Sequence, residues 1–397
     1  MPILIWFGFF FSLSLLLIIA RKSLWLGLVI ASYVLGLFSL SFKNLWQQTY
    51  ITVTDPSILL LSLAVGLIPM IGGIMENGGL IDNLVNNIRM KRNYFMAFTS
   101  AFIGMLPMPG GALLSAPPVD RSGKTVPDEI KTAINVWFRH VFLLIYPLGV
   151  LLATTAMAKV NLYTAILYLL PGFILMSILG YIFLLRNIEG QNDSTSKINH
   201  KKIIAPVAVI LIAPFIHFTL MASFKNLIHE VPLIIGIFTS LILSLCFSKM
   251  NRNKFIYVAV KMKPWNFALI ILGMFLFLHI FQASATSQVI ADAAFTKVTL
   301  LVGIGTLLGF ATGRVQVPVA ILLPIYSAQF GAKSMTPMTF AIMFFAVYQG
   351  YIVSPVHPCI SVSLEYFKTD LKNFYKIIAV PAMICLAVVL IIGVFIL

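Results

Sequence analysis

Two arginines stand in otherwise apolar sequence. Arg139 lies in NVWFRHVFLLIYPLG (135–149), and Arg314 lies in ATGRVQVPVAILLP (311–324). A guanidinium presents a planar fork of donors that matches a carboxylate or a phosphate. At the centre of a bilayer such a charge costs about 2.5–3.5 kcal/mol even on lenient insertion scales. Arg314 is therefore expected to face a cavity, a partner or an anionic substrate. The alternative is a shallower position from which it snorkels to the interface. Thr312, Gly313, Gln316 and Pro318 surround Arg314 with polar and helix-breaking character. Arg139 is one or two turns from the nearer end of its segment, so reaching water and facing a site are both open.

Two kinds of backbone break accompany these arginines. The stretch GMLPMPGGALLSAPP (104–118) holds Pro107 and Pro109, which remove two amide donors, and Gly110 and Gly111, which permit close backbone approach. A helix starting after Gly111 would aim its free amides at the turn, an arrangement suited to an anion. The plainer reading is a Pro-Gly turn. Two further segments break at Tyr146-Pro147 and within FAVYQGYIVSPVHPCISV (345–362), where Tyr348, Gln349, Tyr351, Ser354, Pro355 and His357 cluster. Carbonyls freed at such breaks can hold Na⁺, while amides across the break face an anion. His357, between two prolines, is the best titrating candidate; His217 and His279 read as packed or interfacial. Glu76, in GGIMENGGLI (72–81), could bind a coupling proton or cation, but capping the helix that follows is the preferred reading. The three cysteines, Cys246, Cys359 and Cys385, show no metal-ligand or disulfide spacing. Enzyme and nucleotide fingerprints are absent from the sequence, so neither a catalytic residue nor an organic cofactor is expected.

These residues need elements that hold them. The chain has 397 residues, 60% hydrophobic and 10% charged, with a formal net charge of +15. Soluble domains are nearer 25% charged, so a soluble enzyme, a disordered chain and a nucleic-acid binder are all excluded. A crossing helix needs about 20 apolar residues. Spans are expected near 2–20, 25–42, 57–75, 133–157, 162–185, 203–222, 231–248, 264–282, 337–358 and 377–397. The N-terminal run reads as a first span rather than a cleaved leader. The stretches 94–119 and 296–326 are broken midway and read as re-entrant hairpins. With both termini outside, twenty of the 27 basic residues fall in cytoplasmic gaps and five in outer gaps, the asymmetry of a positive-inside orientation. The order of spans, hairpin and break is the same in 1–186 and 203–397, on either side of a polar linker at 187–202. Five crossings per half make the two repeats inverted, an arrangement common in secondary transporters.

PMPGGALLSAP (107–117) and YQGYIVSPVHPC (348–359) carry a family resemblance that covers essentially the whole chain. They resemble an uncharacterised prokaryotic family of integral membrane proteins in the ion transporter superfamily, related to divalent anion/sodium symporters and gluconate permeases. The resemblance implies an all-α, elevator-type ion transporter fold of ten spans and two hairpins. In that group the hairpin tips and helix breaks form the substrate and cation sites. Carried over, Pro107, Pro109, Gly110 and Gly111 form one tip, Gly313, Arg314, Gln316 and Pro318 the other, and Pro147 and Ser354 to His357 the breaks. The Ser-Asn-Thr signature of dicarboxylate members is absent at both tips. Together these readings describe a secondary active transporter of a small organic anion in the cytoplasmic membrane, coupled to Na⁺ or H⁺, with Arg314 neutralising the substrate. Thr312, Arg139, Tyr146, Pro147, Tyr348, Gln349 and Glu76 are candidates for the coupling ion or for support. A homodimer through the scaffold spans is a further implication of the resemblance. A cation/proton antiporter, and a membrane enzyme or assembly factor, are the competing readings.

Overall fold

The computed structural model describes residues 2–106, 111–191, 199–224, 228, 230–286, 289 and 295–397. Among them the chain is helical throughout, with one isolated bridge between Lys91 and Gln191 and no strand. The first half runs α1 (Pro2–Ala20), α2 (Leu24–Ser39), α3 (Phe42–Thr54), α4 (Pro56–Asn77), α5 (Leu80–Asn87), α6 (Arg92–Gly104), α7 (Gly111–Ser122), α8 (Asp128–Leu143), α9 (Val150–Ala158) and α10 (Leu162–Gly180), which continues as a π turn at Tyr181–Leu185. The second half runs α11 (His200–Ser223), α12 (Glu230–Ser248), α13 (Arg252–Met262), α14 (Pro264–Ala283), a π segment at Thr299–Ile304, α15 (Gly305–Thr312), α16 (Gln316–Phe330), α17 (Pro337–Ile352), α18 (Pro358–Phe367) and α19 (Leu371–Ile396).

Local chemistry sets these boundaries. Asp55 accepts from the amides of Ser57 and Ile58 at 2.8 and 3.2 Å and starts α4, with Pro56 in the first helical position. Asn161, Asn251, Thr336 and Asp370 cap α10, α13, α17 and α19 in the same way. Several helices end on lysine in the left-handed region: Lys159, Lys249, Lys263 and Lys368, with φ between 48° and 54°. The side chain there complements the negative end of the helix.

Six helical stretches are long and apolar enough to cross a membrane: Pro56–Asn77, Leu162–Leu185, His200–Ser223, Glu230–Ser248, Arg252–Ala283 and Leu371–Ile396. Phe7 and Phe10 on α1, Phe215 on α11 and Phe395 on α19 are all more than half exposed. A belt of such side chains is a liability in water and neutral against lipid. The protein is a multi-pass membrane protein. Burial differs sharply among the long helices: 72% of the α4 window is inside the protein, but only 22% of the window containing α10. Thus α4 is a central helix and α10 a peripheral one.

Several expected boundaries move. Residues 43–54 and 252–262, read as parts of gaps, fall in helices α3 and α13, and Phe42, read as the end of a span, opens α3. Trp46 and Tyr50 on α3 and Tyr257 on α13 are exposed, the amphipathic aromatic pattern of a helix lying along an interface. The hairpin at 94–119 is α6 and α7, beginning at Arg92 and ending at Ser122; Pro107, Pro109 and Gly110 lie outside the described residues. The span at 133–157 is α8 and α9, parted by six residues that include Pro147. The stretch at 337–358 covers α17 and the break that follows it, and a second helix, α18, carries on from Pro358 to Phe367. Pro358 opens α18 because the first helical position needs no amide donor.

Hairpin and broken helices pack backbone to backbone. A β-carbon on Gly104 of α6 would lie 2.2 Å from the Arg139 carbonyl oxygen of α8. In the other half, a β-carbon on Gly309 of α15 would lie 2.2 Å from the Val347 carbonyl oxygen, and one on Gly350 would lie 2.1 Å from that of Thr306. Only glycine allows this approach. The hairpin arms are thereby fixed against the helices that carry the breaks.

Candidate functional site

The tip of the second hairpin is three residues long, Gly313 to Val315, between α15 and α16. Gly313 has φ +58°, and a β-carbon there would stand 2.9 Å from the His357 amide nitrogen. The tip therefore rests directly on the α17–α18 break. Ser354 donates to the Phe310 carbonyl and ties break to hairpin a second time. Thr312 donates to the carbonyls of Leu308 and Arg314 at 2.7 and 3.1 Å and accepts from the Arg314 amide, closing the turn. Arg314 is half-buried, as are Thr312 and Gln316, while Pro318 is buried in the first turns of α16. Pro355 and Val356 are exposed, so one side of the break lies at the protein surface.

The break brings residues from both halves together. His140 on α8 and His357 are 0% and 1% exposed, and their ring centroids are 4.8 Å apart. Tyr351 stacks on His357 at 4.1 Å, and its hydroxyl meets His140 Nε2 at 3.2 Å. A carbonyl can only accept, so His140 Nδ1 donates to the Val136 carbonyl at 2.6 Å. Its Nε2 then accepts from Tyr351. The Tyr348 hydroxyl donates to the His140 carbonyl at 2.8 Å. Each half of the chain thus supplies a histidine to one buried aromatic cluster.

Arg139 closes the other side. It is 5% exposed, lies beside Cys359, and its Nη1 has no hydrogen-bond partner among the described residues. A β-carbon on Gly111 would stand 2.2 Å from Arg139 Nη2. The guanidinium therefore lies against the first turn of α7, at the first hairpin. Arg139 and Arg314 are both near enough to Tyr351 and His357 for their charges to be felt there, so two cations neighbour one cluster. Asn135, one turn earlier on α8, donates to the Ser363 hydroxyl at 2.9 Å and the Ala112 carbonyl at 3.2 Å, and its Oδ1 is buried without a partner among the described residues. It links α7, α8 and α18.

Several expected residues lie elsewhere. The Tyr146 hydroxyl donates to the Ile210 carbonyl of α11 at 3.2 Å, away from the cluster, and Pro147 sits in the α8–α9 break. Gln349 points its amide at the Met176 sulfur of α10, 3.4 Å away. Glu76 pairs with Lys261 of α13 at 2.8 Å. His217 and His279 each contact a hydroxyl at 2.8 Å, from Tyr163 and Thr52. Both line a cavity of about 630 Å³ with Asp55, Lys159 and Glu230, separate from the arginine cluster. His140 and Tyr351 were legible only as neighbours of the breaks. Asn135, Cys359 and Ser363 had no local signal: an apolar helix hides one polar residue, and the partners lie more than two hundred residues apart in sequence.

Hairpin arms clamped to broken helices, with charged side chains meeting at the breaks, define a polytopic helical membrane protein with a transporter-like fold. A crystal structure of the YdaH transporter of Alcanivorax borkumensis is similar to it, with a TM-score of 0.50 and 12% identity over 94% of this chain and 96% of that one. At that identity the likeness concerns the fold. The chain belongs to the DUF401 family, described as a protein of unknown function, which matches residues 6–396. No curated protein matches it.

Proposed function

We propose that the protein is a secondary active transporter of a small organic anion, carboxylate-like in its charged group, in the cytoplasmic membrane of a prokaryote. The observation that carries this reading is Arg139: a buried guanidinium with an unpartnered N–H, seated at the start of a hairpin helix and matched by Arg314 at the opposite tip. A buried cation without a carboxylate partner is expensive, and an anionic ligand relieves that cost. The sequence pattern alone favoured Arg314; burial moves the main role to Arg139, with Arg314 completing the charge. The repeated order of elements on either side of 187–202 supports inverted repeats of five crossings, with both termini outside. In that orientation the 630 Å³ cavity, lined by helix ends at Asp55, Lys159 and Glu230, is an outer vestibule. Clamped hairpins suit a rigid transport body that moves against a scaffold in elevator fashion. Two copies would meet through that scaffold. Na⁺ or H⁺ supplies the driving force.

Uptake into proteoliposomes under imposed Na⁺ or H⁺ gradients, with a panel of carboxylates, tests the reading. Arg139→Ala should abolish uptake of the accepted anion, and Arg314→Ala should weaken it. Undiminished anion uptake by Arg139→Ala would sink the proposal, and proton-driven cation exchange would support the antiporter instead. The Glu76–Lys261 pair argues against Glu76 as the titrating group of such an antiporter.

A further inference from the structure

The buried cluster contains a ligand set that sequence spacing did not reveal. His140, His357 and Cys359 each offer one donor atom, and the three atoms lie within 4.8 Å of one another. The donors come from two halves of the chain, which is why no short motif marks them. Zinc binds nitrogen at about 2.0–2.1 Å and sulfur at about 2.3 Å. Ligand atoms around a tetrahedral ion therefore stand roughly 3.5 Å apart. About 1 Å of side-chain movement would close this cluster on an ion.

Both imidazoles are prepared. The bond from His140 Nδ1 to the Val136 carbonyl fixes the tautomer and turns the Nε2 lone pair into the cluster, where it accepts from the Tyr351 hydroxyl at 3.2 Å, a bond that a metal would displace. Metal-bound imidazoles are oriented by such a bond. His357 Nδ1 is buried with no hydrogen-bond partner among the described residues. A buried nitrogen of that kind calls for a ligand. Cys359 is the second residue of α18 and lies beside Arg139. Burial works against a free thiolate there, so a metal would have to displace the thiol proton as it binds. The set contains no carboxylate, which disfavours Mg²⁺ and Ca²⁺. Two imidazoles and a thiolate suit Zn²⁺ or its close neighbours among the transition metals.

We propose that His140, His357 and Cys359 form a three-ligand site for a divalent transition metal, Zn²⁺ fitting best, with the fourth position open to water or to an anion held by Arg139. The role of that anion rests on the transport reading; the three-ligand site does not. Binding releases the thiol proton of Cys359 and leaves both imidazoles neutral.

The test is a Co²⁺ and Zn²⁺ titration of the purified full-length protein in detergent. One equivalent of Co²⁺ should give a thiolate-to-cobalt charge-transfer band, removed by competing Zn²⁺. The band should vanish in Cys359→Ser and persist in Cys246→Ser. His140→Ala and His357→Ala should each weaken binding at least about ten-fold, the least that perturbing a metal's surroundings costs. X-ray absorption on the zinc-loaded unmutated protein guards against variants that fail to fold, and should report one sulfur and two imidazole nitrogens. A sulfur-free shell, absence of saturable binding, or a titration unchanged in Cys359→Ser and His357→Ala would overturn the site. None of these readouts involves transport, so the metal site and the anion reading fail independently.

Discussion

Gly111→Ala separates the guanidinium from the fold that holds it. The added methyl would sit 2.2 Å from Arg139 Nη2 and 3.0 Å from Cζ, and would meet no backbone atom among its nearest contacts. The guanidinium is the far end of a long side chain, so it swings aside and the backbone stays. Gly111 is the first residue of α7, where the helix-interior penalty of glycine does not apply in full, so stability should hold. The loss falls on the ligand. A hydrogen bond to a charged group contributes about 1.5–3 kcal/mol, which is roughly a ten- to hundred-fold weakening of anion affinity. Gly104→Ala is the contrasting variant, because its methyl would meet the Arg139 carbonyl oxygen at 2.2 Å. Backbone cannot rotate away, and overpacking of this kind costs about 1–3 kcal/mol. Thermal unfolding in detergent and anion binding, measured on the same preparations, check the pair. Gly111→Ala should keep its melting temperature and lose affinity, whereas Gly104→Ala should lose melting temperature. Wild-type affinity in a well-folded Gly111→Ala protein would refute the placement of Arg139 as the anion clamp.

Gly309→Ala should destabilise the second hairpin as Gly104→Ala does the first, about 1–3 kcal/mol by thermal unfolding, because its methyl meets the Val347 carbonyl. Lys131 bonds Asp120 at 2.5 Å and Asp128 at 2.6 Å and lies over the Phe367 ring, joining the ends of α7, α8 and α18. Burial opposes its charge, but the two carboxylates outweigh burial and raise its pKa above the ordinary 10.5. Its contribution is therefore complete below 10.5 and lost as pH rises through the higher folded value. Lys131→Met should lower stability by about 1 kcal/mol, since both carboxylates are half exposed. A melting-temperature difference from wild type that stays constant through neutral pH and shrinks only in strong alkali checks the sign.

Much of the fold was legible because the bilayer imposes a simple rule: long apolar runs become helices, and prolines and glycines mark where they stop. Pro147, Pro355 and Gly313 all stand at real breaks. The short helices α3 and α13 were not legible as elements, because a half-polar helix and a polar gap have similar composition. The site was legible at its breaks and obscure in its partners. Gln349 was read with the site, yet its amide turns to Met176. In an apolar helix, sequence gives a polar residue's depth better than its direction. Cys359 carries no signal of its own, because His140, the third member of its cluster beside nearby His357, meets it only after two halves of the chain pack together.

The left-handed lysines place membrane insertion and folding in competition. At Lys159, Lys249, Lys263 and Lys368 the backbone adopts a conformation that glycine takes freely and that costs other residues about 1–2 kcal/mol. Glycine is the commonest residue at such helix ends. It carries no charge, however, and a nascent chain is sorted across the bilayer by its lysines and arginines before any tertiary contact forms. In the proposed orientation, three of the four lysines belong to the basic gaps on the cytoplasmic face. Replacing them with glycine would yield a more stable folded protein from a chain less certain which way to enter the membrane.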